Sequence, residues 1–232
     1  QNRAVLGHYV LDGQISQFSG YAACARHVTN PLLVPESDGA FAANSADAWI
    51  IEMGKQRPRR RPLREVFVSI FSPGHSLIDT AFSNFSVRVI LEGLQSLASD
   101  VQEVAGPAVG TPSSPAIMRA LIHLHTVRLA RPDPCAVESL ELLVRWHSIC
   151  LGIATPTSML CRKLCGFYGI QQQLYTENNT QVKNLDLRAW ARSAGGLRAL
   201  LHAIAIHDIV ERLPLGRSHA IHLPAAIFSA AT

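Results

Sequence analysis

Residues 133–152 read DPCAVESLELLVRWHSICLG, and the placement of this stretch decides what kind of fold the chain can build. Asp133 suits a helix cap, Pro134 suits the first turn, where no backbone N–H is needed, and Gly152 suits the position past the end. Glu138, Glu141, Arg145 and Ser148 recur at helical spacing, which predicts one exposed polar stripe. At about 100° per residue, His147 then lies almost opposite Glu138, on the buried side beside Leu140, Leu143 and Val144.

Working downstream, residues 145–166, RWHSICLGIATPTSMLCRKLCG, carry one His and three of the five cysteines. His147 and Cys150 sit three apart on one helix, and Cys161 and Cys165 four apart on a second, short helix over 157–166. A tight helical hairpin could gather all four around a zinc ion. The first pair, however, points into an apolar face, and Cys161 and Cys165 flank Leu160 and Leu164. Packing of unligated cysteines is the favoured reading over zinc or a reactive thiol. His147 offers Cys150 a base, but nothing local orients that base or forms an oxyanion hole, and helix burial raises a thiol pKa.

Other fragments fall short of chemistry. Gly74-His75-Ser76-Leu77-Ile78 has Ile78 where a nucleophile elbow needs glycine. Gly106–Gly110 lacks the Gly-Lys-Ser/Thr of a phosphate loop. His219 and His222 form a weak ligand pair without a nearby carboxylate or cysteine, and read better as capping or packing. We therefore expect no catalytic residue and no metal ligand in this chain, and no enzyme.

The rest of the sequence extends the helical pattern. Helices are expected over 14–29, over a short segment after Asn44 or Ser45, over 84–104, over 115–130 from Pro115, and over a final segment opened by Pro224. LREVFVSIF (63–71) is a short apolar element. Asn184 is placed to cap LDLRAWARS, and Gly195-Gly196 separates that segment from LRALLHAIAIHDIVERL. There Leu197, Leu201, Ile204, Ile206, Ile209, Val210 and Leu213 are expected in the core. The sum is an all-α, irregular array of roughly eight to ten helices, without the β-α alternation of a doubly wound sheet. One domain over 1–232 is expected, with GPAVGTPSSP at 106–115 the best place for a subdivision.

Composition agrees. Apolar residues make up 48% and charged residues 16%, so the chain can fold on a sizeable core; aromatics at 6% leave that core to aliphatic side chains, which favours helices. The net charge is +4. Much of it comes from KQRPRRRPLR at 55–64, read as a solvated, Pro-broken loop with a nuclear-localisation or DNA-tethering patch as the alternative. Five cysteines without regular spacing suggest no disulfide framework and fit a reducing compartment. No apolar run approaches the roughly 18 residues of a spanning helix, so no membrane partner is expected.

WHSICLGIATPTSMLCRKLCG, then LDLRAWARS, then RALLHAIAIHDIVERLPLGRSHAIHLPAAIFSAAT resemble the fungal-specific transcription factor domain, also called the middle homology region. SADAWIIEM, LREVFVSIF and FSVRVILEGLQSL are compatible with the same domain. SHAIHLPAAIF is most similar to members that pair it with two-Cys, two-His zinc fingers; the better-known class carries a binuclear zinc cluster. The resemblance implies a non-catalytic regulatory and interaction domain of a nuclear transcription factor. Its implied partners are the transcription machinery, co-regulators or an apolar effector. DNA reading, and any zinc cofactor, would then belong to a separate module, since this chain has neither finger spacing nor a six-cysteine cluster. The alternative is a helical small-molecule sensor or scaffold outside transcription.

Overall fold

A computed structural model describes residues 2–19, 23–26, 30–35, 38–55, 61–72, 82–103, 112–130, 137–155, 166–169, 186–216 and 219–231. Among these residues there are ten α-helices and no strand. The β pairing they contain is an isolated antiparallel bridge between Leu33 and Pro62. The helices are α1 (Asn2–Ser19), α2 (Asp38–Ala42), α3 (Ala46–Gly54), α4 (Leu63–Phe71) and α5 (Asn84–Glu103). They continue as α6 (Ser114–Leu124), α7 (Val137–Ala154), α8 (Leu187–Ala191), α9 (Ala194–Val210) and α10 (Leu223–Ala231). A π-helical turn, His125–Leu129, extends α6.

Local chemistry starts several helices where the sequence places them. The Ser45 hydroxyl accepts from Ala48 N at 3.2 Å and caps α3. Ser83 accepts from Ser86 N at 3.1 Å ahead of α5. Pro115 occupies the first turn of α6, where its absent N–H costs nothing. At α8 the cap is Asp186, whose carboxylate accepts from Arg188 N and Ala189 N; Asn184 lies outside the described residues. Also outside them are Asp133, Pro134, residues 74–78 and 106–110, Cys161, Cys165 and the centre of the arginine run.

Several expectations need correction. The first helix starts at Asn2 rather than residue 14 and ends at Ser19. α7 runs through Gly152 to Ala154. Gly195 and Gly196 do not separate two helices but form the first turn of α9, capped by Ser193 through Gly196 N at 3.2 Å. A Cβ at Gly196 would stand 2.5 Å from Trp190 O, so glycine is what lets α8 fold back on α9. Another concerns α7 itself. Of the expected exposed stripe, Glu138 alone faces solvent; Glu141, Arg145 and Ser148 are buried.

α7 is thus the hub. It packs against α9, α5, α10 and α6, while α1 lies along α5. Leu140, Leu142, Val144, Ile149 and Cys150 fill the space between them. One hydrophobic cluster runs from Leu6 in α1 to Ala226 in α10. Among the described residues no helix is long and apolar enough to cross a membrane.

Candidate functional site

A helix buried on every side must satisfy its polar groups internally, because an unpaired charge in a dry interior costs several kcal/mol. Arg145 does so through a bidentate pair with Glu92 of α5, with Nε to Oε1 at 2.8 Å and Nη2 to Oε2 at 2.5 Å. Nη1 donates to Gln17 Oε1 at 2.8 Å, and Gln14 Nε2 donates to Glu92 Oε1 at 3.1 Å. The two charged side chains are 1% and 0% exposed. Gly13 brings α1 close to Glu92, where a Cβ would make an ordinary van der Waals contact at 3.5 Å. The fork of guanidinium and carboxylate locks α1, α5 and α7 into one register.

One turn earlier on the same helix, Glu141 ties in the segment before α10. Its Oε1 accepts from Ala220 N at 3.1 Å and faces His219 Nδ1 at 3.1 Å, while Arg88 Nη2 lies 3.5 Å from Oε2. His219 Nε2 donates to the Pro214 carbonyl at 2.9 Å. His222 Nε2 donates to the Glu141 carbonyl at 3.1 Å. Burial, reinforced by Arg145, pushes His222 down to about 3, so it is neutral in the fold. A carboxylate thus does lie beside His219, contrary to the sequence expectation, and both rings hold the turn into α10 through these contacts.

His147 and Cys150 do not come together as a catalytic pair. Cys150 is fully buried and burial pushes its thiol up to about 12, against nucleophilic use. His147 turns to His202 of α9 instead, with the two Nδ1 atoms 2.9 Å apart. At that spacing one nitrogen donates and the other accepts, so the pair shares a single proton. Trp146 sits against both rings and against His125, at centroid distances of 4.8, 5.6 and 4.5 Å respectively. Burial first, then His202 and His125, pushes His147 down to about 4. His125 and His202 are lowered by burial as well. The Trp146 indole donates to the Leu121 carbonyl at 2.8 Å, joining α7 to the last turn of α6.

One element lies in a different environment from the one its periodicity predicts. Leu197, Leu201 and Ile204, expected in the core, face solvent with Leu200 and are between 49 and 67% exposed. The side of α9 turned to α7 carries Ala199, Ile206 and Ile209, followed by Leu213. α9 is apolar on two opposite sides, and the outer one is open. The spacing 197, 200, 201, 204 is a regular helical stripe. Beyond it the same side continues into His207, Asp208 and Glu211, all exposed, with ligand-type atoms within 4.8 Å of one another. These groups lie at solvent on one helix face, with no buried partner among the described residues to orient them, so we read them as the polar end of the stripe.

A second opening lies on the opposite part of the molecule's chain order. A cavity of about 540 Å³ is lined by Arg3, Asp38, Phe41, Asn84, Phe85 and Arg88, among others. The Arg3 guanidinium lies 4.2 Å from the Phe41 ring centroid and 4.8 Å from that of Phe85, and pairs with Asp38. Its charge, and that of Arg88 through Glu141, is already balanced.

No protein-family model, no curated protein and no solved structure matches this chain.

Proposed function

We propose that this chain is the regulatory and interaction domain of a nuclear transcription factor of the fungal-specific transcription factor type. It is non-catalytic, and DNA reading is supplied by a separate zinc module. The observation that supports this reading is the outer stripe of α9, where Leu197, Leu200, Leu201 and Ile204 stand in water at helical spacing. Scattered single apolar residues need no explanation on a protein surface, but a contiguous stripe marks a contact surface. An amphipathic helix docking its partner presents anchors at this same i, i+3, i+4, i+7 spacing. The partners are proteins of the transcription machinery or co-regulators. The buried, high-pKa thiol of Cys150 fits a non-catalytic role.

Two experiments test the reading. Fused to a heterologous DNA-binding module, the chain should change transcription from a reporter relative to the module alone. By itself it should give no sequence-selective gel shift at physiological salt. An inert fusion, or tight selective DNA binding by the chain alone, contradicts the proposal.

The cavity between Phe41 and Phe85 supports a second reading, a helical small-molecule sensor or scaffold outside transcription. Its volume lies within the range of small-ligand sites. It predicts thermal stabilisation by an apolar ligand and loss of that stabilisation in a Phe85→Ala variant, with an inert reporter fusion.

A further inference from the structure

The outer side of α9 has two features that bear on what covers it. At about 100° per residue, Leu197, Leu200, Leu201, Ile204, Asp208 and Glu211 fall within a single arc of about 100°. The apolar anchors therefore run directly into two exposed carboxylates at the C-terminal end. The charge at the other end is opposite. Around the start of the stripe, Arg188, Arg192 and Arg198 are exposed and outnumber Asp186. At its end, Asp208 and Glu211 outnumber Arg212. The stripe is apolar in the middle, basic at one end and acidic at the other.

We infer that the occupant of this face is a second copy of the same chain, with the two α9 helices antiparallel about a twofold axis near Leu200 and Leu201. An antiparallel pair brings the basic end of each copy to the acidic end of the other, whereas a parallel pair opposes like charges. A twofold contact also requires one patch to be complementary to itself, which a stripe with opposite ends satisfies. Four half-exposed aliphatic side chains per copy bury on the order of 800 Å² in total, below the standard size of stable interfaces. The dimer accordingly belongs to the weak, transient class of contacts. The inference rests on the stripe being a protein-contact face and assigns that face to self-association, which leaves co-regulators to dock elsewhere on the pair.

Sedimentation velocity of the intact chain tests this from about 1 to about 100 µM, where a complex of micromolar affinity populates. The weight-average mass should rise from 25.2 kDa toward twice that value. The Leu200→Glu/Leu201→Glu variant, with an unchanged helical circular-dichroism spectrum, should stay monomeric throughout. Arg192→Glu/Arg198→Glu and Asp208→Lys/Glu211→Lys should each weaken self-association at least tenfold, and an equimolar mixture of the two should associate again. A dimer that survives Leu200→Glu/Leu201→Glu, or charge variants that do not recover on mixing, overturns the inference. So does a wild-type chain that is monomeric throughout. If in that case the reporter output still falls with Leu200→Glu/Leu201→Glu, the docking reading stands without the dimer.

Discussion

At the scale of single residues, the molecule turns on Arg145. Removing one member of a buried ion pair leaves the other charged and unsolvated, so Arg145→Ala or Glu92→Ala should each cost about 3–5 kcal/mol. Replacing both with apolar residues of similar volume, as in Glu92→Leu/Arg145→Met, should recover most of that loss. Urea unfolding of the three variants checks the difference. The buried imidazoles set a second expectation. The folded-state values of His147, about 4, and His222, about 3, lie below the ordinary 6.5, so the unfolded chain takes up protons first as pH falls. The contribution of these two rings is therefore constant above about pH 6.5 and falls on acidification, by about 1.4 kcal/mol per pH unit for each histidine until its own folded value is reached. His222→Leu, if it folds, should flatten the unfolding midpoint's pH dependence between pH 6 and about 4. An unchanged slope would contradict the assignment of His222 as a buried neutral ring.

At the scale of elements, the sequence pattern identified helices well and their surroundings less well. Caps and breaks act over three or four residues, which is why Ser45, Pro115 and the bounds of α5 were legible. Burial depends on what else arrives. Glu141, Arg145 and Ser148 have the spacing of a solvent stripe, and nothing local reveals that Glu92, 53 positions earlier, meets Arg145 in the core. α9 shows the reverse. Its apolar residues cover both sides, so periodicity could not say which side meets α7; the structure assigns that role to Ile206 and leaves Leu200 in water. The two should respond oppositely to truncation. Ile206→Ala should destabilise by about 2–5 kcal/mol, whereas Leu200→Ala should stay within about 0.5 kcal/mol. Thermal unfolding at a protein concentration well below any self-association checks both, and equal losses would contradict the assignment of sides.

At the scale of the whole molecule, α7 carries the fold and α9 the proposed contact. The bidentate Arg145 pair, the Trp146 indole and the His147–His202 pair fasten α1, α5, α6 and α9 to α7, and Glu141 fastens the turn into α10. The histidine and cysteine cluster that stands out in the sequence is packed into this scaffold as far as it is described: His147 pairs with His202, and Cys150 is buried. The candidate contact face was not legible from His and Cys at all, because it consists of leucines whose exposure only the packing of α9 on α7 determines. The most direct measurement is the tethered reporter, read for the wild-type chain and for Leu200→Glu/Leu201→Glu at equal protein levels and equal thermal stability. The account predicts that transcription changes with the wild-type fusion and returns to the level of the DNA-binding module alone with the variant. A variant as active as the wild type would contradict it.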